Sequence, residues 1–176
     1  ESAMAMSIRK IMTAACFRAN ALVCQLSARY PELAGMGTAL VAAIATRNRA
    51  YVMNIGDSRA YSLSGDNIEL ITRDHSFLQY LLSEHKISEQ EAKNFPHKNV
   101  ITRAIGITSM PEPDFFPVDL TKAEYLLFCT DGLSNCVSEL DLVRVICAPT
   151  RLSRSAPMTD IQRKLNKLVD LANKAG

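Results

Sequence analysis

Between Met4 and Tyr30, the apolar residues Ile8, Ile11, Ala15, Ala19, Leu22, Val23 and Leu26 recur at steps of three and four, the period of a helix with one apolar face. The pattern predicts one amphipathic helix, or two in series, ended by Pro31. Strands are predicted next, from Met36 to Thr46, Arg49 to Ile55 and Arg59 to Leu63, with turns at Arg47-Asn48 and Ser64-Gly65-Asp66-Asn67. Connections this short imply antiparallel neighbours. Residues 76–99 are polar and predict two short helices, one through Leu78, Leu81 and Leu82, the other opened by the capping box Ser88-Glu89-Gln90-Glu91. This stretch reads as an excursion from the sheet. Met110-Pro111-Glu112-Pro113 is an extended link into a strand from Asp114 to Val118, and Tyr125 to Cys129 reads as a buried central strand. Helices follow from Ser138 to about Ile146 and from roughly Thr159 to Lys174, joined by a linker from Ala148 to Pro157. Strands in hairpins with long helices outside predict an α+β fold: an antiparallel β-sandwich of two sheets flanked by α-helices on each side.

A chain of 176 residues buries roughly 70% of its unfolded surface, enough for one sizeable core, and is read as a single domain over 1–176. With 20 basic and 18 acidic residues and no basic run, nucleic acid is excluded as a partner. The five cysteines form no CxxC pair and no zinc spacing, which fits small buried hydrophobes in a reducing, cytoplasmic setting. Cys129 and Cys136, on either side of Asp131, are the places open to a redox switch. No signal peptide and no apolar stretch long enough to cross a bilayer is expected, so no membrane partner is expected either.

Chemistry concentrates where two apolar strands break. Leu126-Leu127-Phe128-Cys129-Thr130 runs into Asp131-Gly132, and Tyr51-Val52-Met53-Asn54-Ile55 runs into Gly56-Asp57-Ser58-Arg59. A carboxylate at the end of a strand is how a sheet presents a metal ligand at its rim, although Asp-Gly is also a common hairpin turn and a plain hairpin accounts for the first of these as well. Gly35-Met36-Gly37-Thr38-Ala39, Asp74-His75-Ser76 and Thr102-Arg103-Ala104-Ile105-Gly106 accompany them.

In this order and at these separations, the five segments resemble the bacterial metal-dependent serine/threonine protein phosphatases of type 2C, from about Gly35 to about Ile146. The resemblance implies a four-layer α-β-β-α sandwich and hydrolysis of phosphoserine and phosphothreonine esters in proteins by a metal-activated water, with two manganese or magnesium ions and a third, weaker one. It maps Asp131 onto a ligand of the dinuclear centre and Asp57 onto the aspartate that joins it in holding the third ion. Gly132 and Gly56 are expected to let the backbone turn tightly beside these aspartates, and Ser58 and Arg59 to fix the loop around Asp57. Asp74 and His75 are weaker candidates, since the family places its catalytic histidine elsewhere. Residues 76–99 occupy the place of the family's flap, a candidate for substrate selection. The family's N-terminal arginine, Glu-Asp and Asp-Gly motifs and its C-terminal Asp-Asn motif are not found, so the expectation is a domain incomplete at both ends, with sheet edges open to self-association. A cognate serine/threonine kinase is an expected counterpart. The alternative is a catalytically inactive phosphatase-like module that binds or regulates.

Overall fold

The structure is a computed structural model of the chain and describes residues 2–92, 95, 96, 100–149 and 157–176. A single helix, α1 (Ala3–Arg29), takes up the first periodic stretch. Ser2 caps it, its Oγ accepting from the Ala5 N–H at 3.2 Å. The buried stripe is Ala5, Ile8, Met12, Cys16 and Asn20, while Ile11 and Leu22, which the periodicity placed on the apolar face, are exposed. Asn20 is tolerated because both ends of its amide are satisfied: Nδ2 donates to Thr108 O at 2.8 Å and Oδ1 accepts from the Gly106 N–H at 2.7 Å. Contrary to expectation, α1 is long and apolar enough by composition to cross a bilayer. Here Ile8, Met12 and Cys16 pack on the sheet beneath.

That sheet consists of β1 (Leu40–Ala45), β2 (Arg49–Ile55) and β5 (Asp114–Asp119), antiparallel in the order β1-β2-β5. The first strand starts at Leu40 rather than Met36, because Thr38 forms an isolated bridge with Ile105 instead. In β2, Met53 and Ile55 face α1, while Ala50, Val52 and Asn54 are buried on the opposite face. Both faces of this central strand are therefore covered.

The second sheet has the order β4-β3-β6, from β4 (Asn67–Leu70), β3 (Arg59–Ser64) and β6 (Tyr125–Cys129). β4 was not anticipated; its four residues directly follow the turn at Gly65-Asp66 and are mostly exposed, so they carry no apolar alternation. β6 is not the buried central strand that its apolar run suggested. It lies at the edge, with Leu127 buried and Phe128 exposed. The helices α5 (Glu139–Ile146) and α6 (Pro157–Ala175) cover this sheet, enclosing Tyr61, Leu63, Leu127, Leu142 and Leu168 in its core. The layers are thus α1, two sheets, then α5 with α6.

The strand pair β2 and β3 corrects one further expectation. Their three-residue connection does not make a hairpin; it carries the chain from one sheet to the other. In the excursion, α2 (Phe77–Ser83) and α3 (Glu89–Ala92) form as predicted, with Ser88 and Glu91 in a reciprocal capping box. Its stem is tied by the Ser76–Ile101 bridge and by the Phe77 N–H donating to Val100 O at 2.8 Å. Residues 93, 94 and 97–99 of the excursion and 150–156 of the predicted linker lie outside the described residues.

Candidate metal centre

Asp57 sits in the crossover between the two sheets, and the sequence before it leaves little choice of conformation. Gly56 is buried with φ +113°, and a Cβ there would lie 2.5 Å from Ala39 Cβ and 2.9 Å from Ala39 Cα. Only glycine fits. Its N–H donates to His75 Nδ1 at 3.2 Å, and its carbonyl accepts from the His75 N–H at 2.9 Å and from Asn54 Nδ2 at 3.3 Å. Ser58, next along, is buried.

Asp131 arrives from the other side, as the first residue of the short helix α4 (Asp131–Ser134) at the end of β6. Gly132 does not make the tight turn expected of it. It lies inside that helical turn, has no positive φ, and a Cβ there would meet nothing nearer than Thr130 Oγ1 at 3.6 Å.

The two aspartates line one cleft of about 180 Å³ together with Arg59, Asp74, Ser76, Gln79, Ser134 and Asn135. Burial pushes the Asp57 carboxyl above the usual carboxylate range; the charges of Asp131 and Asp74 add to the rise, while a backbone hydrogen bond and Arg59 oppose it. Carboxylates whose charges raise one another's cost of ionisation form a site that a cation relieves.

Arg59 is committed elsewhere. Its guanidinium grips Asp74 through Nε at 3.0 and 3.2 Å and Nη2 at 2.6 Å, which raises its own pKa further. The pair braces β3 against the segment before the excursion. Asp74 is therefore a partner of Arg59 more than a free ligand. His75 is buried and lines a different depression, with Arg103 and Asp114, rather than the Asp57–Asp131 cleft. Burial pushes the Cys129 thiol up to about 11, which suppresses the reactive thiolate at neutral pH.

Sequence reasoning did not single out Asn54, Gln79, Asn135 or Asp114. A signal existed for Asn54 and Gln79, polar residues inside the apolar runs of β2 and α2, and for Asp114, which stands at the start of the Phe115-Phe116 strand; Asn135 has no such setting.

The donors fit a hard divalent cation, which takes carboxylate and water oxygens. Among the described residues no group of three His, Cys, Asp or Glu side chains forms a ligand cluster; of the three aspartates that line the cleft, Asp74 is paired with Arg59.

The sequence pattern of the protein phosphatase 2C family matches residues 1–170. The serine/threonine phosphatase stp of Listeria innocua is 40% identical over 125 residues, 71% of this chain and 50% of that protein. The protein phosphatase PhpP of Streptococcus pneumoniae is 35% identical over 142 residues, 81% of this chain and 54% of its own length. The chain therefore spans about half the length of the curated relatives it matches. Among solved structures, serine/threonine phosphatase Stp1 from Staphylococcus aureus superposes with a TM-score of 0.85 at 29% identity, over 95% of this chain and 62% of that one. The catalytic domain of the serine/threonine phosphatase PstP, solved in complex with two manganese ions, gives 0.73 at 30% identity, over 94% and 64%. With strand ends from two facing sheets bringing Asp57 and Asp131 to one cleft, and a family pattern that runs through nearly all of its residues, the chain belongs to the protein phosphatase 2C family.

Proposed function

We propose that the chain serves a divalent-metal-dependent protein phosphatase acting on phosphoserine and phosphothreonine. The observation that supports this most is the coupling of Asp57 and Asp131 across one cleft, reached from different sheets. When bound, a pair of manganese or magnesium ions supplies an activated water and offsets charge on the phosphoryl oxygens. The chain's own part is to hold and aim carboxylate oxygens. Asp131 is anchored by the end of β6 and the first turn of α4, and Asp57 by the fixed Gly56 peptide. Arg59, already paired with Asp74, holds the loop rather than phosphate. The relatives' names support phosphoproteins as substrates, with a cognate serine/threonine kinase as counterpart. The cytoplasm is the compartment that five free cysteines favour.

The test is manganese-dependent release of phosphate from a phosphothreonine peptide, beside a chelated blank and Asp131→Asn. Activity lost in both controls is the expected result; turnover that survives exhaustive chelation overturns the reading. A second reading, a phosphatase-like module that binds without hydrolysis, is favoured by the absence of a three-ligand cluster among the described residues. Saturable binding of the phosphopeptide with no turnover at any manganese concentration would select it.

A further inference from the structure

We propose that His75 is a positioning residue for Asp57, acting through the Gly56 peptide, and that it couples the stem of the 76–99 excursion to the metal-binding loop. This rests on the reading of Asp57 as a metal ligand.

His75 grips Gly56 at two points. Its main-chain N–H donates to Gly56 O at 2.9 Å, and its ring Nδ1 accepts from the Gly56 N–H at 3.2 Å. Both polar groups of the residue immediately before Asp57 thus bond to His75, and the carbonyl accepts from Asn54 Nδ2 as well. Because an amide N–H can only donate, Nδ1 must be the acceptor, which puts the ring proton of the neutral imidazole on Nε2. Nε2–H then donates to Asp114 Oδ2 at 3.0 Å. Asp114 in turn accepts from Arg103 Nη1 through Oδ1 at 3.3 Å and is fixed in register, opposite Asn54 of β2. The ring is therefore oriented by a carboxylate and buried, with its side chain 5% exposed. A histidine held this way aims its acceptor instead of exchanging protons with substrate, the same arrangement by which outer residues set metal ligands elsewhere.

The grip also reaches outward. His75 O accepts from the Thr102 N–H at 2.8 Å, and Ser76, the next residue, pairs with Ile101 and caps α2. The excursion leaves and returns through these bonds. A displacement of its stem is transmitted to Gly56 by one residue, with no flexible side chain in between.

The experiment needs no turnover. Manganese is titrated into the isotope-labelled chain, paramagnetic broadening is followed at Asp57 and Asp131, and hydrogen exchange is followed at the Gly56 amide. His75→Gln removes the acceptor at the Nδ1 position; His75→Asn keeps an acceptor there and gives up Asp114. We expect His75→Gln to weaken the manganese response about tenfold and to speed Gly56 exchange about tenfold, and His75→Asn to restore most of both, with circular dichroism unchanged throughout. Asp57→Asn should abolish broadening at its own site while leaving Gly56 protected. If Asp57→Asn removes the manganese response and His75→Gln leaves it unchanged, or if His75→Asn is as impaired as His75→Gln, the positioning role is wrong. If Asp57→Asn leaves the response intact, the metal reading itself fails, and the inference goes with it.

Discussion

The same two residue types make both halves of the candidate site, in opposite order and with opposite physics. In Gly56-Asp57 the glycine precedes the aspartate, is buried at φ +113°, and is pressed against Ala39. In Asp131-Gly132 the glycine follows, is exposed, and occupies an ordinary helical turn. One glycine is required by its surroundings; the other is required by nothing around it. A dipeptide therefore says little about its turn until the neighbours that crowd it are known.

The largest expected effect is at the crowded turn. Gly56→Ala combines a strained φ with a clash on backbone and should cost about 3 kcal/mol, seen as a melting temperature lowered by roughly 10 °C. A loss within error of zero would mean that the crossover can relax, and the contrast between the two turns would collapse. Next comes the brace of the same loop: Arg59→Ala leaves Asp74 half-buried without its three guanidinium contacts and should cost about 2 kcal/mol in urea unfolding. Arg59→Lys should recover only part, since an ammonium cannot make the forked contact.

A pH dependence sharpens the electrostatic side. The folded Asp57 pKa lies above its ordinary value, so the stability it contributes is whole below about pH 4, the unfolded carboxylate value, and is lost as pH rises through the folded pKa. In metal-free buffer, stability relative to Asp57→Asn should therefore fall across that window and then level off. Asp131→Asn should shrink the fall, because it removes one of the charges that raises Asp57. A difference that rises with pH would reverse the sign of the interaction and remove the reason for a cation there. The smallest effect belongs to Gly132→Ala, expected within about 0.5 kcal/mol of neutral because alanine suits a helical turn at least as well.

The sequence made the layers legible and the joints obscure. Period three-and-four in α1 and the apolar run of β2 announce themselves because burial imposes them, whereas the run of β6 lies at a sheet edge. The sequence could not show that α1 turns Asn20 inward and Ile11 outward, since that depends on two backbone groups near Gly106 that lie far along the chain. β4 was missed because an exposed edge strand needs no pattern. For the site, Asp57 and Asp131 were readable as strand-end carboxylates. What could not be read is that the segment between β2 and β3 changes sheets, or that His75 faces Gly56 instead of the cleft. Those facts are set by contacts between residues 17 to 19 places apart (Ala39 with Gly56, Gly56 with His75), and such contacts carry no local periodicity.

The close approach of Gly56 to Ala39 has a consequence for lineage as well as for folding. On the metal reading proposed above, a descendant that gave up that chemistry could replace Asp57 and Asp131 without touching the buried core of its sheets, and by the charge argument with some gain. It could not replace Gly56, nor enlarge residue 39, without disturbing the crossover. Glycine at 56 and a small residue at 39, standing beside vanished carboxylates, would be the scar by which a retired member of the family is told from one that never had the site.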